Sequence, residues 1–595
     1  MSSKNFVSFG DYNYPAINWK TNTISRPETD EAEQFLGCIE DNYCTQHVPE
    51  PTRDHNTLDL VTSNDPKMVY NVEIMDKLDT SDHNMISVNL LFDNTYETYS
   101  KIRHDYNNAN WQGIRQYLSN VNWEEELQDD VQKSWDRFKQ IITELENKFV
   151  PTKNTKMNST KQKPIWMTYK LAKLIKHKHQ VYKKYKNVRH PAYIRIAKEV
   201  KMEVKKSKVN FEQKLAEKIK DDKKSFFAYV RGKTKLVSAP TALVTDQDVL
   251  LDNPYEVPHE FNKYYVSVFT SEDKSNIPLP SQKYFPVPGE QDELTDLHFT
   301  EVHVFKKLKS LKTDKVQGPD NISAKLLATT ADLLARPVYM IFKKSLQEGV
   351  LPVDWKAANV SPIHKSGSKT SPSNYRPISL TSHVCKVMES LFRDEIVQHL
   401  EFNGLINDSQ HGFRKGRSCL TNLLTFLDKV SGYVDTGTDV DVIFLDFAKA
   451  FDKVPHQRLI GKVQNHGIDG KVLNWISNWL SGRVQRVQVK GVSSTWEMVT
   501  SGVPQGSGLG PILFLIYIND MDDEIMNQLL KFADDTKIFS RIRTDEEADN
   551  LQKDLDTLLN WTNDWQMQFN VKKCKVMHLG KQKQNHRYRT ILMET

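Results

Sequence analysis

Apolar residues in the second half of the chain fall into short continuous runs, separated by stretches of helical spacing. Runs bounded by polar residues predict strands at Val440–Leu445, Val484–Val489 and Leu530–Ala533. The last strand is predicted to continue through a hairpin into Thr536–Phe539. Because helices and strands alternate without an internal repeat, the pattern predicts an α+β domain over residues 301–595.

Residues 1–95 carry a strand-like pattern instead. Short apolar runs such as Val69–Val72 and Met85–Leu91 are separated by turn residues, which predicts part of an α/β sandwich. Residues 96–235 follow with apolar positions at helical spacing, interrupted before Pro191. They predict a helical linker region.

Residues 236–300 bring proline and glycine together with acidic residues. One stretch within them is predicted to be helical, and it carries Phe261, Tyr264, Tyr265 and Phe269. We expect a connector that packs on the α+β domain that follows it.

The composition narrows the class of protein. Hydrophobic residues make up 38% of the chain and charged residues 26%, a balance typical of globular proteins. No apolar run is long enough to span a bilayer, and Met1–Asn5 does not begin a signal peptide. We expect an intracellular protein, in the nucleus or the cytoplasm, that is not secreted and has no membrane partner. The five scattered cysteines predict neither disulfides nor a structural zinc site.

Basic residues are concentrated in one part of the helical region. Between Lys161 and Lys235, 24 lysines and arginines stand against 6 acidic residues, whereas the whole chain has a net charge of +5. This asymmetry indicates a polyanionic partner, RNA or DNA. The alternative is a helical hairpin with solvated cations and a core of aromatic residues. It explains the aromatic residues better and the charge surplus worse.

Three aspartates stand at the ends of two predicted strands. Asp446 follows Val440–Leu445, and Asp534 and Asp535 follow the strand that begins at Leu530. Carboxylates on neighbouring strand ends can hold two Mg²⁺ ions about 4 Å apart, as two-metal phosphoryl transfer requires. A lone Asp-Asp pair after a strand is more often an ordinary turn. The assignment therefore depends on the surrounding residues.

A series of motifs supplies that context. In order and approximate spacing they resemble the reverse transcriptases of non-LTR (LINE-type) retrotransposons, especially the jockey-like group. Two positions depart from the family's pattern, because Asn321 replaces the usual glycine and Gly508 stands where a branched residue is usual. The motifs are, in chain order, Gly318–Ile322, Trp355–Lys356, Val360–Gly367, Asn374–Leu380, Gln410–Ser418, Ser501–Pro511, Phe532–Asp535 and Phe569–Gly580.

The resemblance implies a metal-dependent catalytic centre. It makes Asp446 and Asp534 the principal metal ligands, with Asp535 beside them and the Phe447 carbonyl as a further ligand. The implied cofactor is a pair of Mg²⁺ ions, for which Mn²⁺ is a possible substitute. Lys573 matches the position proposed to protonate pyrophosphate, although Lys572 is adjacent.

The resemblance also implies a nucleotide site. Phe451 matches the steric gate that excludes a ribose 2′-hydroxyl; its alternative is a core aromatic residue. Lys365 and Arg376 match the cations that clamp the triphosphate, and each by itself would more often be a solvated surface charge. Gln505 and Gly506 are expected to lie against the nucleotide and the template.

These roles imply a right-hand polymerase with fingers and palm that copies RNA into DNA. Its implied partners are an RNA template, a DNA primer or target DNA, and dNTPs. One rival is an RNA-dependent RNA polymerase, and another is a catalytically silent nucleic-acid-binding relic. Fifteen residues follow Gly580, so we expect the thumb to be largely missing and processivity to be low.

Short motifs near the amino terminus resemble the later part of the endonuclease/exonuclease/phosphatase family. They contain Asp11 and Asn13, then Asp59, then Asp82 and His83. An Asp-His pair suits stabilisation of a phosphoryl transition state. The resemblance covers the C-terminal half of that domain, and the earlier strands would precede the first residue. We expect a remnant without competent endonuclease activity.

Overall fold

The computed structural model describes most of the chain. It covers residues 6–19, 21–24, 30–42, 44–64, 68–90, 100–156, 166–187, 189–217, 242–245, 250–281, 293–580 and 588. The chain forms two compact units. Unit 1 comprises residues 1–101 and 154–238, and unit 2 comprises residues 102–153 and 239–595. The domain boundaries predicted at residues 95, 235 and 300 stay a prediction.

The strands and helices alternate along much of the chain. The strands are β1 Val7–Asp11, β2 Ile17–Asn18, β3 Thr23–Ile24, β4 Thr45–Gln46, β5 Asp59–Ser63, β6 Val69–Lys77, β7 Asn84–Leu90, β8 Ser100–His104, β9 Thr152–Lys156, β10 Leu243–Val244, β11 Leu250–Leu251, β12 Ala357–His364, β13 Tyr375–Leu380, β14 Asp439–Leu445, β15 Val484–Val489, β16 Val492–Ser493, β17 Glu497–Met498, β18 Gln528–Phe532, β19 Asp535–Ile542 and β20 Lys575–Leu579. The helices are α1 Asp30–Asp41, α2 Trp111–Ser119, α3 Trp123–Glu126, α4 Val131–Phe149, α5 Tyr169–Tyr185, α6 Pro191–Glu217, α7 Glu256–Ser267, α8 Glu301–Lys309, α9 Ala324–Thr329, α10 Ala331–Glu348, α11 Val353–Lys356, α12 His383–Phe402, α13 Cys419–Asp435, α14 Ala450–Lys453, α15 His456–Asn465, α16 Gly470–Leu480, α17 Gly510–Tyr517 and α18 Asp545–Asp564.

Unit 1 contains an antiparallel sheet in the order β1-β5-β4 and the hairpin β6-β7. The apolar runs predicted to be strands lie in β6 and β7, which confirms them; Leu91 lies outside the described residues. Helices α5 and α6 form a second part of unit 1 and pack through Leu171, Ile175 and Val200. Pro191 begins α6, because its fixed φ suits the first turn of a helix and stops the preceding one.

Unit 2 contains two larger sheets. One has the order β13-β12-β15-β16, with β17 also paired to β15, and the other has the order β18-β19-β14-β20. The strand predicted at Val484–Val489 is β15, and Val440–Leu445 lies within β14. The mixture of sheets and helices confirms the α+β class. The strand predicted at Leu530–Ala533 was wrong at its end, because Ala533 has a φ of +55° and belongs to a turn.

The core of unit 2 is built largely from helices around these sheets. Trp135 of α4 and Trp355 of α11 are fully buried and pack edge to face, with ring centroids 5.3 Å apart. Helix α7 packs Phe261 against Tyr375 of β13. The predicted connector helix is therefore present, although Phe269 lies just beyond its end. Among the described helices, none is both long and apolar enough to cross a membrane.

The buried side chain of Lys531 holds strand β18 in place. Its ammonium donates to Asp522 Oδ1 at 2.7 Å and to the carbonyls of Ile518 and Asn519 at 3.1 and 3.0 Å. Burial alone would raise the pKa of Asp522, but Lys531 together with hydrogen bonds from Ser409 and Asn407 lowers it below its ordinary value. The pair fixes the strand that leads to Asp534.

Replacement of Lys531 by methionine is expected to lower the free energy of unfolding by about 3–5 kcal/mol, because it leaves Asp522 charged and buried without its cation. The contribution of Asp522 is present at neutral pH and is lost as the pH falls through its lowered pKa. Urea denaturation measures the change. The control is Lys133→Met, which removes an exposed pair with Asp129 and should change stability by at most about 0.5–1 kcal/mol. Equal effects of both variants would contradict this role of Lys531.

Candidate active site

The turn between β18 and β19 presents Asp534. Phe532 pairs with Asp535 across the hairpin, so Ala533 and Asp534 form a two-residue turn. The positive φ of Ala533 is unusual for a residue with a Cβ and requires support from its surroundings. That support is the side chain of Gln410, whose Oε1 accepts from the Ala533 N–H at 2.9 Å. The same oxygen accepts from the Gly412 N–H at 2.7 Å.

Asp446 lies beside this turn because β14 pairs with β19. Leu445 is opposite Thr536, so the chain leaves β14 at Asp446 next to the start of β19. The Asn570 N–H donates to the Asp446 carbonyl at 2.7 Å. This hydrogen bond is part of an antiparallel bridge between Phe447 and Phe569. The hydrogen bonds of the bridge are made by the residues before and after Phe447, so the Phe447 carbonyl takes no part in them.

The aspartates repel one another. Burial raises the pKa of Asp534 above its ordinary value, and the charges of Asp535 and Asp446 raise it further, while Lys365 opposes the shift. Carboxylates that lie close together repel one another when they are ionised. A hard cation, which prefers oxygen ligands, relieves this repulsion. The residues present therefore fit a divalent metal site.

A contact with Asp446 distinguishes Lys573 from the adjacent Lys572. Lys573 Nζ lies 2.6 Å from Asp446 Oδ2. It stands in the turn before β20, where its N–H donates to the Asn570 carbonyl. Sequence alone left the two lysines undecided, and the structure brings Lys573 to the carboxylates.

Two more cations reach the same region from the other sheet. Lys365 directly follows β12, and Arg376 lies in β13 opposite Ile363. Burial lowers the pKa of Lys365, and the nearby charges of Lys573 and Arg376 lower it further; Asp446 and Asp534 act in the opposite direction. The structure therefore brings together the predicted cations and carboxylates.

Phe451, Gln505 and Gly506 lie together beside this cluster. The Phe451 ring stacks on Phe514 at a centroid distance of 4.5 Å and an interplanar angle of 20°. The Gln505 carbonyl accepts from the Ser379 N–H of β13 at 2.8 Å. Gly506 has a φ of +108°, and a Cβ there would lie 3.1 Å from the Ser379 carbonyl. Glycine is required because the backbone is left-handed and close to β13.

Some residues at this site were not predicted. Asp452 follows Phe451 and accepts from the Gln505 side chain, and Gln410 supports the turn at Ala533. Gln410 begins a motif that the sequence pattern located, and Asp452 directly follows Phe451, but spacing does not show which side chains meet. The N–H of Gly508 donates to the buried carboxylate of Glu389 at 2.5 Å, but a Cβ there would make only ordinary contacts, so the structure gives no reason for glycine at this position.

Unit 1 holds a separate cluster. Asp11 at the end of β1 pairs with Asp59 at the start of β5, and His83 Nδ1 lies 2.7 Å from Asp59 Oδ2. Their ligand atoms all lie within 4.8 Å of one another. Among the described residues, this is the set of three potential metal ligands whose ligand atoms lie this close together. The ligand atoms of the three aspartates in unit 2 lie farther apart.

The other predicted residues of unit 1 lie at the edge of that cluster. Asn13 has a φ of +47°, and its N–H donates to Asp11 Oδ1 at 2.9 Å. Asp82 pairs with Arg53 at 2.6 Å, a partner that the sequence pattern did not indicate, and its other oxygen is 3.9 Å from His83 Nε2.

Comparison with known proteins agrees with the geometry of unit 2. The sequence profile described as reverse transcriptase (RNA-dependent DNA polymerase) matches residues 363–590. These residues contain Asp446, Asp534, Asp535 and the cations around them.

Curated proteins of Drosophila melanogaster are similar over the same part of the chain. The probable RNA-directed DNA polymerase from transposon X-element is 31% identical over 270 residues, which is 44% of this chain and 29% of the relative. The corresponding protein from transposon BS is 30% identical over 280 residues, 45% of this chain and 31% of the relative. The RNA-directed DNA polymerase from mobile element jockey is 28% identical over 277 residues, which is 45% of this chain and 30% of the relative. The match thus spans about three tenths of the length of these relatives.

Residues 363–590 are therefore a reverse transcriptase domain, a type of domain that generally uses divalent metal ions. Over this part of the sequence the chain is similar to the polymerases of the X-element, BS and jockey elements.

Proposed function

We propose that the chain is an RNA-directed DNA polymerase of a non-LTR retrotransposon. The observation that carries the proposal is the meeting of Asp446 and Asp534 with the cations Lys365 and Lys573 at neighbouring strand ends. The sheet β18-β19-β14-β20 acts as the palm, and β12 with β13 forms part of the fingers. Its partners are an RNA template, a DNA primer or target DNA, and dNTPs. Since these occur inside cells, the enzyme acts in the nucleus or the cytoplasm.

Two Mg²⁺ ions, with Mn²⁺ as a substitute, would be held by Asp446, Asp534 and Asp535, with the Phe447 carbonyl as a further oxygen ligand. The repulsion among the aspartates supports this, because a cation relieves it. Bound there, the ions would supply activation of the primer hydroxyl and stabilisation of the charge that develops on the phosphate. The hard oxygen donors favour Mg²⁺ over softer metals.

The remaining side chains act on the nucleotide. Arg376 presents a forked guanidinium and Lys365 a compact ammonium to the triphosphate, which neutralise its charge and orient it. Lys573 supplies a proton to the leaving pyrophosphate. Phe451 lies beneath the sugar and excludes the 2′-hydroxyl, while Gln505 and Gly506 contact the nucleotide and the template.

The test is extension of oligo(dT) on poly(rA) by the full chain with Mg²⁺ or Mn²⁺ and dTTP. Extension above an Asp534→Ala control supports the proposal. No extension above that control would favour the silent nucleic-acid-binding relic. Faster incorporation of UTP than of dTTP would favour an RNA-dependent RNA polymerase, against which the bulk of Phe451 argues.

Helices α5 and α6 supply a candidate surface for the nucleic acid. Lys176 and Lys183 are exposed on α5 and form no ion pair within the described ranges. The exposed ring of Tyr182 lies among these cations, so a base can stack where phosphates are neutralised; the Tyr185 ring is already stacked on His190. Three further aromatic residues of the basic segment, Phe226, Phe227 and Tyr229, lie outside the described residues.

Replacement of Lys176 and Lys183 by glutamine is expected to weaken binding of a single-stranded RNA. Because two fewer counterions are released, the slope of log K against log salt should decrease by about 1.4. Fluorescence anisotropy between 50 and 200 mM salt, chosen for the range in which such binding changes steeply, measures it.

The matched control removes Lys201 and Lys208, which are already paired with Glu33 and Glu40 of α1. Both double variants remove two charges from the same pair of helices. Equal losses in affinity, or binding by the native chain that does not weaken with salt, would count against this surface.

For unit 1 we propose a likeness to the endonuclease/exonuclease/phosphatase family. The cluster of Asp11, Asp59 and His83 supports the likeness. The ion pair between Asp82 and Arg53 neutralises a carboxylate that this chemistry would use. We expect no Mg²⁺-dependent nicking of supercoiled DNA; nicking that Asp82→Ala abolishes would overturn this expectation.

A further inference from the structure

Helix α13 carries apolar side chains on two faces. On one face Phe426 and Val430 pack against the sheet that contains β14 and β19, where they meet Val440, Val442 and Phe539. The other face is open to solvent. It presents four leucines with exposed fractions of 64%, 50%, 55% and 56%, which are Leu420, Leu423, Leu424 and Leu427. A helix at the surface of a globular protein usually has one apolar face, so the second face indicates a partner.

The four leucines form one stripe along the helix. Successive members are separated by three, one and three positions, so they lie on the same side of the helix within about two turns. Together they present an apolar surface on the order of a few hundred Å², the size at which a patch marks an interaction site. Nucleic acid is bound mainly through cations on its phosphates. The stripe itself carries none, so it suits a protein partner.

The spacing of the stripe is the same in both directions along the chain. A two-fold axis that crosses the helix between Leu423 and Leu424 would place Leu420 opposite Leu427 of a second copy. The same axis would place Leu423 opposite Leu424 of that copy. An interface between identical subunits about a two-fold axis requires this kind of self-complementarity. The pattern therefore favours a second copy of this chain as the partner.

The charges beside the stripe agree with an antiparallel pair of helices. Asp428 and Asp435 are exposed and form no ion pair within the described ranges. Asp435 is the last residue of α13, where a negative charge is unfavourable to the dipole of its own helix. In an antiparallel pair these carboxylates approach the amino-terminal end of the other helix. The dipole is positive at that end, and the exposed Lys415 precedes the capping residue Ser418.

We propose that α13 is the surface through which two copies of this chain associate, with their helices packed antiparallel. The inference does not depend on the polymerase function proposed above. Contact through one helix of each copy buries less than the roughly 1,200 Å² at which stable interfaces begin. The dimer is therefore weak, with a dissociation constant on the order of 10 μM.

The test is the mass of the full chain by sedimentation equilibrium between about 1 and 100 μM, after nuclease treatment to remove nucleic acid that would bridge two copies. The native chain is expected to change from monomer to dimer over this range. Leu423→Lys and Leu424→Glu should each raise the dissociation constant at least about tenfold, because each places an unpaired charge in the apolar contact. The melting temperature of each variant reports whether it is folded.

The matched control combines Phe402→Glu with Leu279→Glu. These residues are 74% and 93% exposed elsewhere in unit 2, so their replacement adds two charges without changing α13. The control should associate like the native chain. A native chain that is still monomeric at about 100 μM, or a control that is weakened as much as the α13 variants, would overturn the inference.

A mixture of the two α13 variants tests the arrangement of the helices. Leu423→Lys and Leu424→Glu in equal amounts should recover the dimer, because the lysine of one copy then lies opposite the glutamate of the other. Folded variants that do not recover it would contradict the antiparallel arrangement. If the variants do not fold, native protein supplies the test. Hydrogen exchange of the α13 amides should slow as the protein concentration rises, and a constant rate would contradict the proposal.

Discussion

Replacement of Asp534 by asparagine is expected to slow nucleotide incorporation by about 10³-fold or more, equivalent to about 4 kcal/mol of transition-state stabilisation. The carboxylate stands in a two-residue turn between β18 and β19, where Asp446 and Asp535 are its neighbours. Asparagine keeps the shape but removes the charge that a divalent ion requires.

The same replacement should not destabilise the fold. Because the folded state raises the pKa of Asp534, its ionisation opposes folding as the pH rises through that pKa. The free energy of unfolding of Asp534→Asn at neutral pH should therefore equal or exceed that of the native chain. Pre-steady-state incorporation and urea denaturation measure the two effects. Incorporation within tenfold of the native rate, or a loss explained by unfolding, would contradict the metal-binding role.

Replacement of Phe451 by alanine is expected to reduce the preference for dTTP over UTP on the order of 100-fold, the range available to discrimination by pocket shape. The native ring stacks on Phe514. Without it, a ribose 2′-hydroxyl meets no obstacle, so ribonucleotide incorporation rises while incorporation of dTTP falls less.

Phe514→Leu is the matched control. Phe514 is fully buried, so this replacement should cost stability without opening the sugar pocket. If both variants lose stability and neither changes the sugar preference, Phe451 is a core aromatic residue and not a gate. Incorporation rates for both nucleotides, with the melting temperature of each variant, decide between these outcomes.

The strands that carry the carboxylates could be predicted because their apolar runs are short and bounded. The strand β15 coincides with the predicted Val484–Val489, and Asp446 directly follows β14. The end of β18 could not be predicted. Ala533 continues the apolar run in sequence, but a hydrogen bond from its N–H to the distant Gln410 holds it in a turn.

The pattern of apolar and polar residues could not predict contacts between residues that are far apart in the sequence. Spacing did not separate Lys573 from Lys572, and the contact with Asp446 does. The amphipathic pattern of α4 predicted a buried face, but not that Trp135 would meet Trp355 in the core of unit 2. Periodicity reports which face of an element is buried and leaves its partner undefined.

The most direct test of the account is incorporation of dTMP opposite poly(rA) by the full chain during a titration of Mg²⁺, with Asp534→Asn measured in parallel. We predict incorporation that requires the divalent ion, rises with its concentration to saturation and is nearly lost in the variant. Incorporation that persists in a chelator, or that is equal in the native chain and in Asp534→Asn, would contradict the claim that these aspartates form the polymerase centre.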